Sequence, residues 1–264
     1  MKVELAKDEF HERLSLVEKL CGKQVTLPVL RGVYLEASEG SLLLRATNLD
    51  VGVEITLAAK VERTGVVVVP ASILLQLLGT LNKGGRVSLE VEAGHMKVTG
   101  GASTTNINIL DSEEYPKLPR VTDGVASTIA ASDLVVGLRS VMFAASHSTI
   151  KPELASVYVY SDGDAVTFVA TDSFRLAEKR IRPKKRHAEG SFLLPVRNVP
   201  EVMRIMEVCE GEVELAYTAN QLSLVTENVY LTSRLVDGMF PDYTQIIPKD
   251  FASEIIVLQK DLQA

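Results

Sequence analysis

The sequence predicts an α+β protein built from repeated modules, each with two helices packed on antiparallel sheets. Three observations predict this fold: an internal repeat at an offset of 124 residues, strand alternation at period two, and apolar stripes at helical spacing. Glycine and acidic residues stand between successive strands, which is typical of the tight turns that join antiparallel neighbours.

The repeat begins with a strand followed by a helix. The offset places Leu5 on Ile129 in the strand and Phe10 on Leu134 in the helix. Apolar residues at positions 10, 14, 17 and 21 follow helical spacing, so one stripe of this helix is expected to face the core.

Two further strands and the turn between them repeat at the same offset. Alternating apolar residues indicate strands packed on one face, and they are Leu42, Leu44 and Ala46 in the first copy and Val166, Phe168 and Ala170 in the second. The pair Ala46-Thr47 corresponds to Ala170-Thr171. We therefore expect Thr47 and Thr171 to occupy equivalent positions.

The later part of each module shows one residue of drift, since Pro70 corresponds to Pro195 at an offset of 125. A second helix is predicted over residues 71–81 in the first module and over residues 196–208 in the second, each followed by more strands. These elements give domains over residues 1–122 and 123–248, each large enough for its own core.

Residues 249–264 resemble the start of a third module. Ile255, Val257 and Leu262 fall where Val3, Leu5 and Phe10 fall in the first. A strand and one helical turn cannot bury a core alone, so we expect a third domain that is cut short. The alternative is that residues 254–258 form a closing strand.

Composition limits the function classes. The 264 residues carry a net charge of -6 and a pI near 5.4, which argues against a protein that coats nucleic acid with its whole surface but leaves room for a local basic surface. Neither a signal peptide nor a long apolar segment is present, so a cytoplasmic location is expected. Cys21 and Cys209 are interpreted as reduced core thiols.

Three motifs in a fixed order carry a family resemblance, and they are Thr26-Leu27-Pro28-Val29-Leu30, Ala170-Thr171-Asp172-Ser173-Phe174-Arg175-Leu176-Ala177, and Leu235-Val236-Asp237-Gly238-Met239-Phe240-Pro241-Asp242-Tyr243. Together with the repeat, they resemble the bacterial DNA polymerase III beta subunit, the sliding clamp. The resemblance covers the whole chain. It implies DNA-clamp modules whose helices line the inner wall of a ring, with sheets outside, and a homodimeric ring for chains with three such domains.

The resemblance also implies a role and its residues. A sliding clamp encircles double-stranded DNA and tethers the DNA polymerase III catalytic subunit, the clamp loader and other proteins that carry a clamp-binding motif. It needs positive charge only along its bore. The candidate DNA-binding residues are Lys23, Gln24, Arg139, Lys151, Arg197 and Arg204. Arg197 and Arg204 are expected on one face of the second helix of their module, whereas the basic segment 180–187 is interpreted as a solvated loop.

A peptide-binding pocket for these partners is also implied. Its walls are expected to be Leu154, Thr171, Ser173, Phe174, Arg175, Leu176, Pro241, Gln245 and Ile246. Such a pocket buries aliphatic or aromatic anchors of a short linear motif. Gln245 stands where the family often has a basic residue and Phe174 where it often has a smaller or polar one, so the peptide preference is expected to differ.

Other functions find less support in the sequence. Catalytic motifs are absent, the four histidines lack ligand spacing, and neither a cofactor nor a metal is expected. The chain is therefore expected to be a non-catalytic subunit. Two alternatives are a non-encircling peptide-binding adaptor and a hydrolase with an unrecognised carboxylate site.

Assembly is the last expectation from the sequence. An apolar strand over residues 255–258 without a covering module would favour aggregation or non-native pairing. The chain as given is therefore expected to be mainly monomeric or heterogeneously associated and to confer no processivity unless the third domain is restored. A ring of three two-domain chains, as in the eukaryotic proliferating cell nuclear antigen, is the alternative that these motifs support poorly.

Overall fold

The computed structural model describes residues 1–22, 27–183, 187–248, 250 and 252–263, and its element order repeats along the chain. The first module consists of β1 (Lys2–Ala6), α1 (Lys7–Glu18), β2 (Gly32–Ser38), β3 (Ser41–Thr47), β4 (Val51–Ala58), β5 (Lys60–Arg63), β6 (Gly65–Pro70), α2 (Ala71–Thr80), β7 (Arg86–Glu92), β8 (His95–Gly100) and β9 (Ser103–Asn108). A 3-10 turn, Pro28–Arg31, precedes β2.

The second module runs through the same order, except that none of its described residues form a counterpart of β5. It consists of β10 (Val125–Ala130), α3 (Ala131–Val141), β11 (Ser156–Ser161), β12 (Val166–Thr171), β13 (Leu176–Ile181), β14 (Gly190–Pro195), α4 (Val199–Met206), β15 (Glu212–Tyr217), β16 (Gln221–Val225) and β17 (Val229–Arg234). Two 3-10 turns, Met142–Ala144 and Tyr243–Ile246, and the short helix α5 (Gln259–Leu262) complete the described elements.

The apolar stripes of the helices face the core as predicted. Phe10 in α1 and Leu134 in α3 hold corresponding places and are both buried. In β3 and β12 the alternating residues Leu44 and Phe168 are buried at the same offset. The repeat predicted from sequence is therefore present in the packing as well as in the element order.

Three antiparallel sheets lie behind the helices. Their strand orders are β5-β1-β7-β8-β9, β10-β15-β16-β17-β4-β3-β2-β6 and β13-β12-β11-β14. The eight-stranded sheet contains four strands from each module, which meet where β17 pairs with β4 from Val229↔Ile55 to Ser233↔Val51. The two modules therefore share a continuous sheet.

A buried ion-pair cluster supports this junction. The Glu54 carboxylate in β4 accepts from Arg45 Nε at 2.6 Å and also pairs with Arg120, whose guanidinium lies 3.7 Å above the Tyr230 ring of β17. Glu54 is almost fully buried, so these two cations compensate a charge that water does not reach.

Two secondary-structure predictions from the sequence are wrong. The second helix of the second module begins at Val199 rather than at 196, because residues 196–198 form a turn ahead of Pro200 in the first helical turn. Residues 254–258 form no strand: these side chains are exposed, and one helical turn follows at Gln259. A strand needs a hydrogen-bonded neighbour, and none of the described strands pairs with this segment.

Candidate functional site

The turn between β12 and β13 is the centre of the predicted peptide site, and a network of backbone contacts holds it. Thr171 Oγ1 donates to the Arg175 carbonyl at 2.7 Å and accepts from Ser173 N at 3.1 Å. Asp172 Oδ1 accepts from the backbone N–H groups of Phe174 and Arg175, both at 3.0 Å. These N–H groups lower the pKa of Asp172, and the Arg175 side chain adds to the effect.

The first module contains the same turn at the same offset. Thr47 Oγ1 donates to the Val51 carbonyl and accepts from Leu49 N, while Asn48 Oδ1 accepts from two backbone N–H groups. Leu49 and Ser173 even share a positive φ, 74° and 77°. Thr171 and Thr47 thus stabilise the same turn in the two modules. The two turns differ in the side chain that each one exposes.

The side chain presented by the second turn is Phe174, which is 98% exposed. Its counterpart in the first turn is Asp50, which pairs with Arg197 at 3.4 Å across the module junction. A phenyl ring so fully in solvent is a strong candidate for contact with a partner, because burying it would recover much of its hydrophobic free energy.

The segment after β17 lies against the same sheet. Tyr243 Oη donates to Glu178 Oε2 at 2.6 Å and lies 3.1 Å from Tyr160 Oη, while the Phe240 ring stacks on Tyr158 at a centroid separation of 4.9 Å. Burial raises the pKa of Tyr243, and the hydrogen bond to Glu178 raises it further. These contacts hold Pro241 and residues 244–246 beside β13.

The nine residues predicted for the peptide site fall into two groups. Leu154 and Thr171 are buried, and Leu176 is half-buried as the cross-strand partner of Thr171. The others are exposed, and they are Ser173, Phe174, Arg175, Pro241, Gln245 and Ile246. The turn therefore places residues 171–176 close together, and the Tyr243 contacts place residues 241–246 beside them. Gln245 Nε2 donates to Asp242 Oδ2 at 2.7 Å, so the Gln245 side chain is bonded to the residue that precedes its own 3-10 turn.

An apolar cavity of about 590 Å³ lies next to this turn and was not predicted from sequence. Its apolar lining comes from the 3-10 turn after α3, the loop ahead of β11, and the first turn of α4 with the residues just before it, and includes Met142, Phe143, Pro152, Ala155, Val196 and Pro200. In the turn, Arg175 Cζ lies 5.9 Å from the Phe143 ring centroid, and Ser146 N in the lining donates to the carbonyl of Leu154, another residue predicted for the peptide site, at 2.9 Å. The apolar pair Met142-Phe143 directly after the α3 stripe was the available signal.

The four longer helices form a row whose members contact one another in the order α2, α1, α4, α3, and we call this the helix row. The contact between modules is made by Arg204 of α4, whose Nη2 donates to the Leu16 carbonyl of α1 at 3.3 Å. Arg204 also pairs with Glu201, and its side chain is only 28% exposed. Arg204 therefore lies mainly within the contact between the modules rather than in solvent.

Arg197 does not share a helix face with Arg204, because it lies in the turn ahead of α4. It is 66% exposed and pairs with Asp50. Arg139, at the end of α3, is also exposed and pairs with Glu207. Lys151 is exposed in the loop ahead of β11, and Lys23 and Gln24 lie outside the described residues.

The helix row contains more acidic than basic residues. Four acidic and two basic residues belong to α1, α2 has neither kind, and α3 and α4 have one of each. Any attraction of this row for phosphates must therefore come from exposed cations at its ends and in the adjoining loops, such as Arg197 and Lys151.

Within the described part of the chain, no group of three or more His, Cys, Asp or Glu side chains is arranged to hold a metal ion. No helix in that part is both long and apolar enough to cross a membrane. Burial raises the pKa of the Cys21 thiol to about 12, and it also raises the pKa of Cys209, so both thiols stay protonated near neutral pH.

Comparison with known proteins places this architecture in one family. Residues 1–119 match the N-terminal domain of the DNA polymerase III beta subunit, and residues 128–242 match its central domain. The beta sliding clamp of Synechococcus elongatus is 31% identical over 270 residues, covering the whole of this chain and 72% of that protein. The beta sliding clamp of Bacillus subtilis is 29% identical, with the same coverage of both proteins.

Comparison with solved structures indicates the same family. The sliding clamp of Bacillus subtilis matches with a TM-score of 0.88 and 27% identity, covering 95% of this chain and 68% of that one. The clamp of Pseudomonas aeruginosa bound to griselimycin matches with a TM-score of 0.89 and 25% identity, again over 95% and 68%. The repeated modules, the shared sheet and these matches together show that the chain belongs to the DNA polymerase III beta subunit family, the beta sliding clamps of DNA replication.

Proposed function

We propose that this chain acts as a non-catalytic processivity factor that encircles duplex DNA and tethers the replicative polymerase through its peptide site. The observation that carries the proposal is the helix row backed by a sheet that continues across the module junction. Such a wall can follow a duplex without reading its sequence when it contacts only the phosphates, because phosphate contacts position a protein on DNA but carry no sequence information. A cytoplasmic location is part of the proposal.

DNA contact is proposed at the exposed cations beside the helix row. Arg197 and Arg139 each have an acidic partner, Asp50 and Glu207, so a phosphate competes with an existing ion pair. Exposed pairs of this kind contribute under about 1 kcal/mol, so exchange for phosphate costs little. The resulting attraction is weak and salt-dependent, as sliding requires.

Retention on circular DNA tests encirclement. The chain is incubated with a plasmid in the presence of the clamp loader, washed at increasing salt, and then treated with a restriction enzyme. Topological linkage predicts retention on the circle at a salt concentration that removes the chain from linear DNA, and release once the circle is cut. Equal loss from circular and linear DNA at every salt concentration would overturn the proposal and favour the non-encircling adaptor.

Peptide binding is proposed at the turn that presents Phe174, next to the cavity lined by Phe143. The partners are the DNA polymerase III catalytic subunit, the clamp loader and other proteins with a short motif of aliphatic and aromatic anchors. Fluorescence anisotropy with a labelled peptide carrying leucine and phenylalanine anchors measures affinity. Phe174→Ser should weaken binding about tenfold or more, as expected for an aromatic anchor. The control is Met239→Ser, since Met239 is 90% exposed but lies outside the turn; equal effects of the two changes would contradict this assignment.

A further inference from the structure

The repeat gives the peptide site a counterpart at the junction of the two modules, beside a separate cavity of about 350 Å³. Five residues predicted for the peptide site have repeat partners that line this cavity: Thr171, Ser173, Phe174, Leu176 and Pro241 correspond to Thr47, Leu49, Asp50, Gly52 and Pro116. The second module supplies the remaining wall, with Gln221, Thr232 and Arg234. The turn and the proline segment of the peptide site therefore occur a second time around a cavity, with different side chains.

Both walls that the first module supplies are held in place by the fold. One wall is the Thr47 turn, whose hydrogen bonds are given above. The other is the segment that connects β9 and β10, where the Pro119 carbonyl accepts from Tyr230 Oη of β17 at 2.6 Å. Leu118 of this segment is buried against Gly52 of β4, so closely that a Cβ on Gly52 would clash with it. A cavity with fixed walls needs little ordering to receive a ligand.

The lining of this cavity carries positive charge that the protein itself does not neutralise. Lys117 and Arg234 are both exposed, and neither side chain pairs with an acidic group among the described residues. Asp50 is the only acidic residue in the described lining, and it already pairs with Arg197 at 3.4 Å. A ligand in the cavity therefore meets two available cations, which favours carboxylates.

The size and the apolar part of the lining indicate a short peptide. Leu49 is 46% exposed, and Pro116 and Leu118 also line the cavity, so an aliphatic side chain can be buried beside the two cations. Ligand pockets usually measure about 300–1,000 Å³, and a cavity at the lower end of this range suits a few amino-acid side chains. None of the described lining residues is aromatic, so the stacking surface that single-stranded nucleic acid uses is missing.

We propose that this cavity is a second binding site, for a linear peptide segment that carries acidic residues beside an aliphatic one. Lys117 and Arg234 pair with the carboxylates, and Leu49 contacts the aliphatic side chain. Asp50 stands where the peptide site has Phe174, so the second site selects negative charge where the first selects an aromatic or aliphatic anchor. The proposal depends on neither encirclement of DNA nor peptide binding at Phe174, because its walls and its cations belong to the module junction.

Fluorescence anisotropy with a labelled peptide of alternating aspartate and leucine tests the site, and the control peptide has asparagine in place of aspartate. The acidic peptide should bind about tenfold more tightly than the control peptide, and Lys117→Gln/Arg234→Gln should weaken its binding by about tenfold, as expected for two partly exposed ion pairs. The matched variant Lys60→Gln/Lys83→Gln removes the same charge from exposed positions of the first module outside the cavity, and it should change the affinity by less than about twofold. Equal losses in the two double variants, or equal binding of the two peptides, would overturn the proposal.

Tryptophan reporters then locate the bound peptide. The chain contains no tryptophan, so Leu49→Trp and Phe174→Trp each introduce a single fluorophore, one in each turn. The acidic peptide should shift the emission of Leu49→Trp and leave that of Phe174→Trp unchanged, while both variants keep the circular dichroism spectrum of the wild type. A shift in Phe174→Trp, or in neither variant, would refute the assignment.

Two further measurements separate this site from the other proposals. A single-stranded oligonucleotide that displaces the acidic peptide from the Leu49→Trp variant as readily as unlabelled peptide does would assign the cavity to nucleic acid and overturn the proposal. Phe174→Ser should leave binding of the acidic peptide unchanged, although it weakens binding of the anchor peptide. Because these assays need neither DNA nor a clamp loader, failed retention on circular DNA would not affect them, and the proposals fail separately.

Discussion

Two helical glycines give a prediction in which the same substitution has opposite effects. A Cβ on Gly137 in α3 would come within 2.5 Å of the buried Phe168 ring, a separation that real Cβ atoms essentially never show. A Cβ on Gly79 in α2 would meet only His11 Nε2, at 3.7 Å. Both changes to alanine gain up to about 1 kcal/mol of helix propensity. At Gly137 the overpacking penalty of about 1–3 kcal/mol outweighs that gain.

We therefore expect Gly137→Ala to lower the free energy of unfolding by about 1 kcal/mol and Gly79→Ala to raise it by about 0.5 kcal/mol. Urea unfolding monitored by circular dichroism measures both, and a difference of this size corresponds to about 3 °C in Tm. Because Phe168 belongs to β12, which ends at the Thr171 turn, Gly137→Ala should also weaken peptide binding. If both variants are stabilised, the close contact between α3 and β12 is not a constraint on packing and the reasoning fails.

Three further predictions concern charges. Asp172→Asn should keep the turn, as Asn48 does in the first module, and the stability that the turn provides should then no longer be lost in acid, whereas Asp172→Ala should lower Tm at neutral pH. The lowered pKa of Asp172 means that its stabilisation is present above about pH 4 and is lost as pH falls through the folded-state pKa. A Tm series from pH 7 to 2 tests both changes. Arg204→Glu should lower the free energy of unfolding by about 1–3 kcal/mol, because the partners of Arg204, Glu201 and the Leu16 carbonyl, are partly buried. Arg197→Glu, at an exposed position, should leave stability unchanged and reduce the salt dependence of DNA binding. A loss of stability in the Arg197 variant and a loss of salt dependence in the Arg204 variant would show that the two roles are exchanged. Glu54→Gln should lower the free energy of unfolding by about 2 kcal/mol, because it leaves the buried Arg45 without its carboxylate partner. Arg120→Gln should lower it by under about 1 kcal/mol, because Arg120 is 52% exposed. Similar losses for the two variants in urea unfolding would contradict this division.

Local sequence patterns predicted much of the fold. The stripe through Phe10 and Leu134 and the alternation through Leu44 and Phe168 depend on spacing within one element, so they could be recognised without coordinates. Thr47 and Thr171 were also predicted to occupy equivalent positions, because the offset reaches them without a gap, but the shared turn geometry that follows them was not predicted. The second helix of the second module was predicted to begin three residues too early, since its apolar pattern continues upstream of Val199, where the helix begins.

Contacts between distant segments were not predicted. The hydrogen bond from Arg204 to the Leu16 carbonyl joins residues 188 positions apart, and spacing within α4 says nothing of it. The cavity beside Phe143 depends on how α3 and α4 meet, which single-element patterns do not encode. For the candidate site, sequence resemblance named the turn, but only coordinates separate Thr171, a framework residue, from the exposed Phe174.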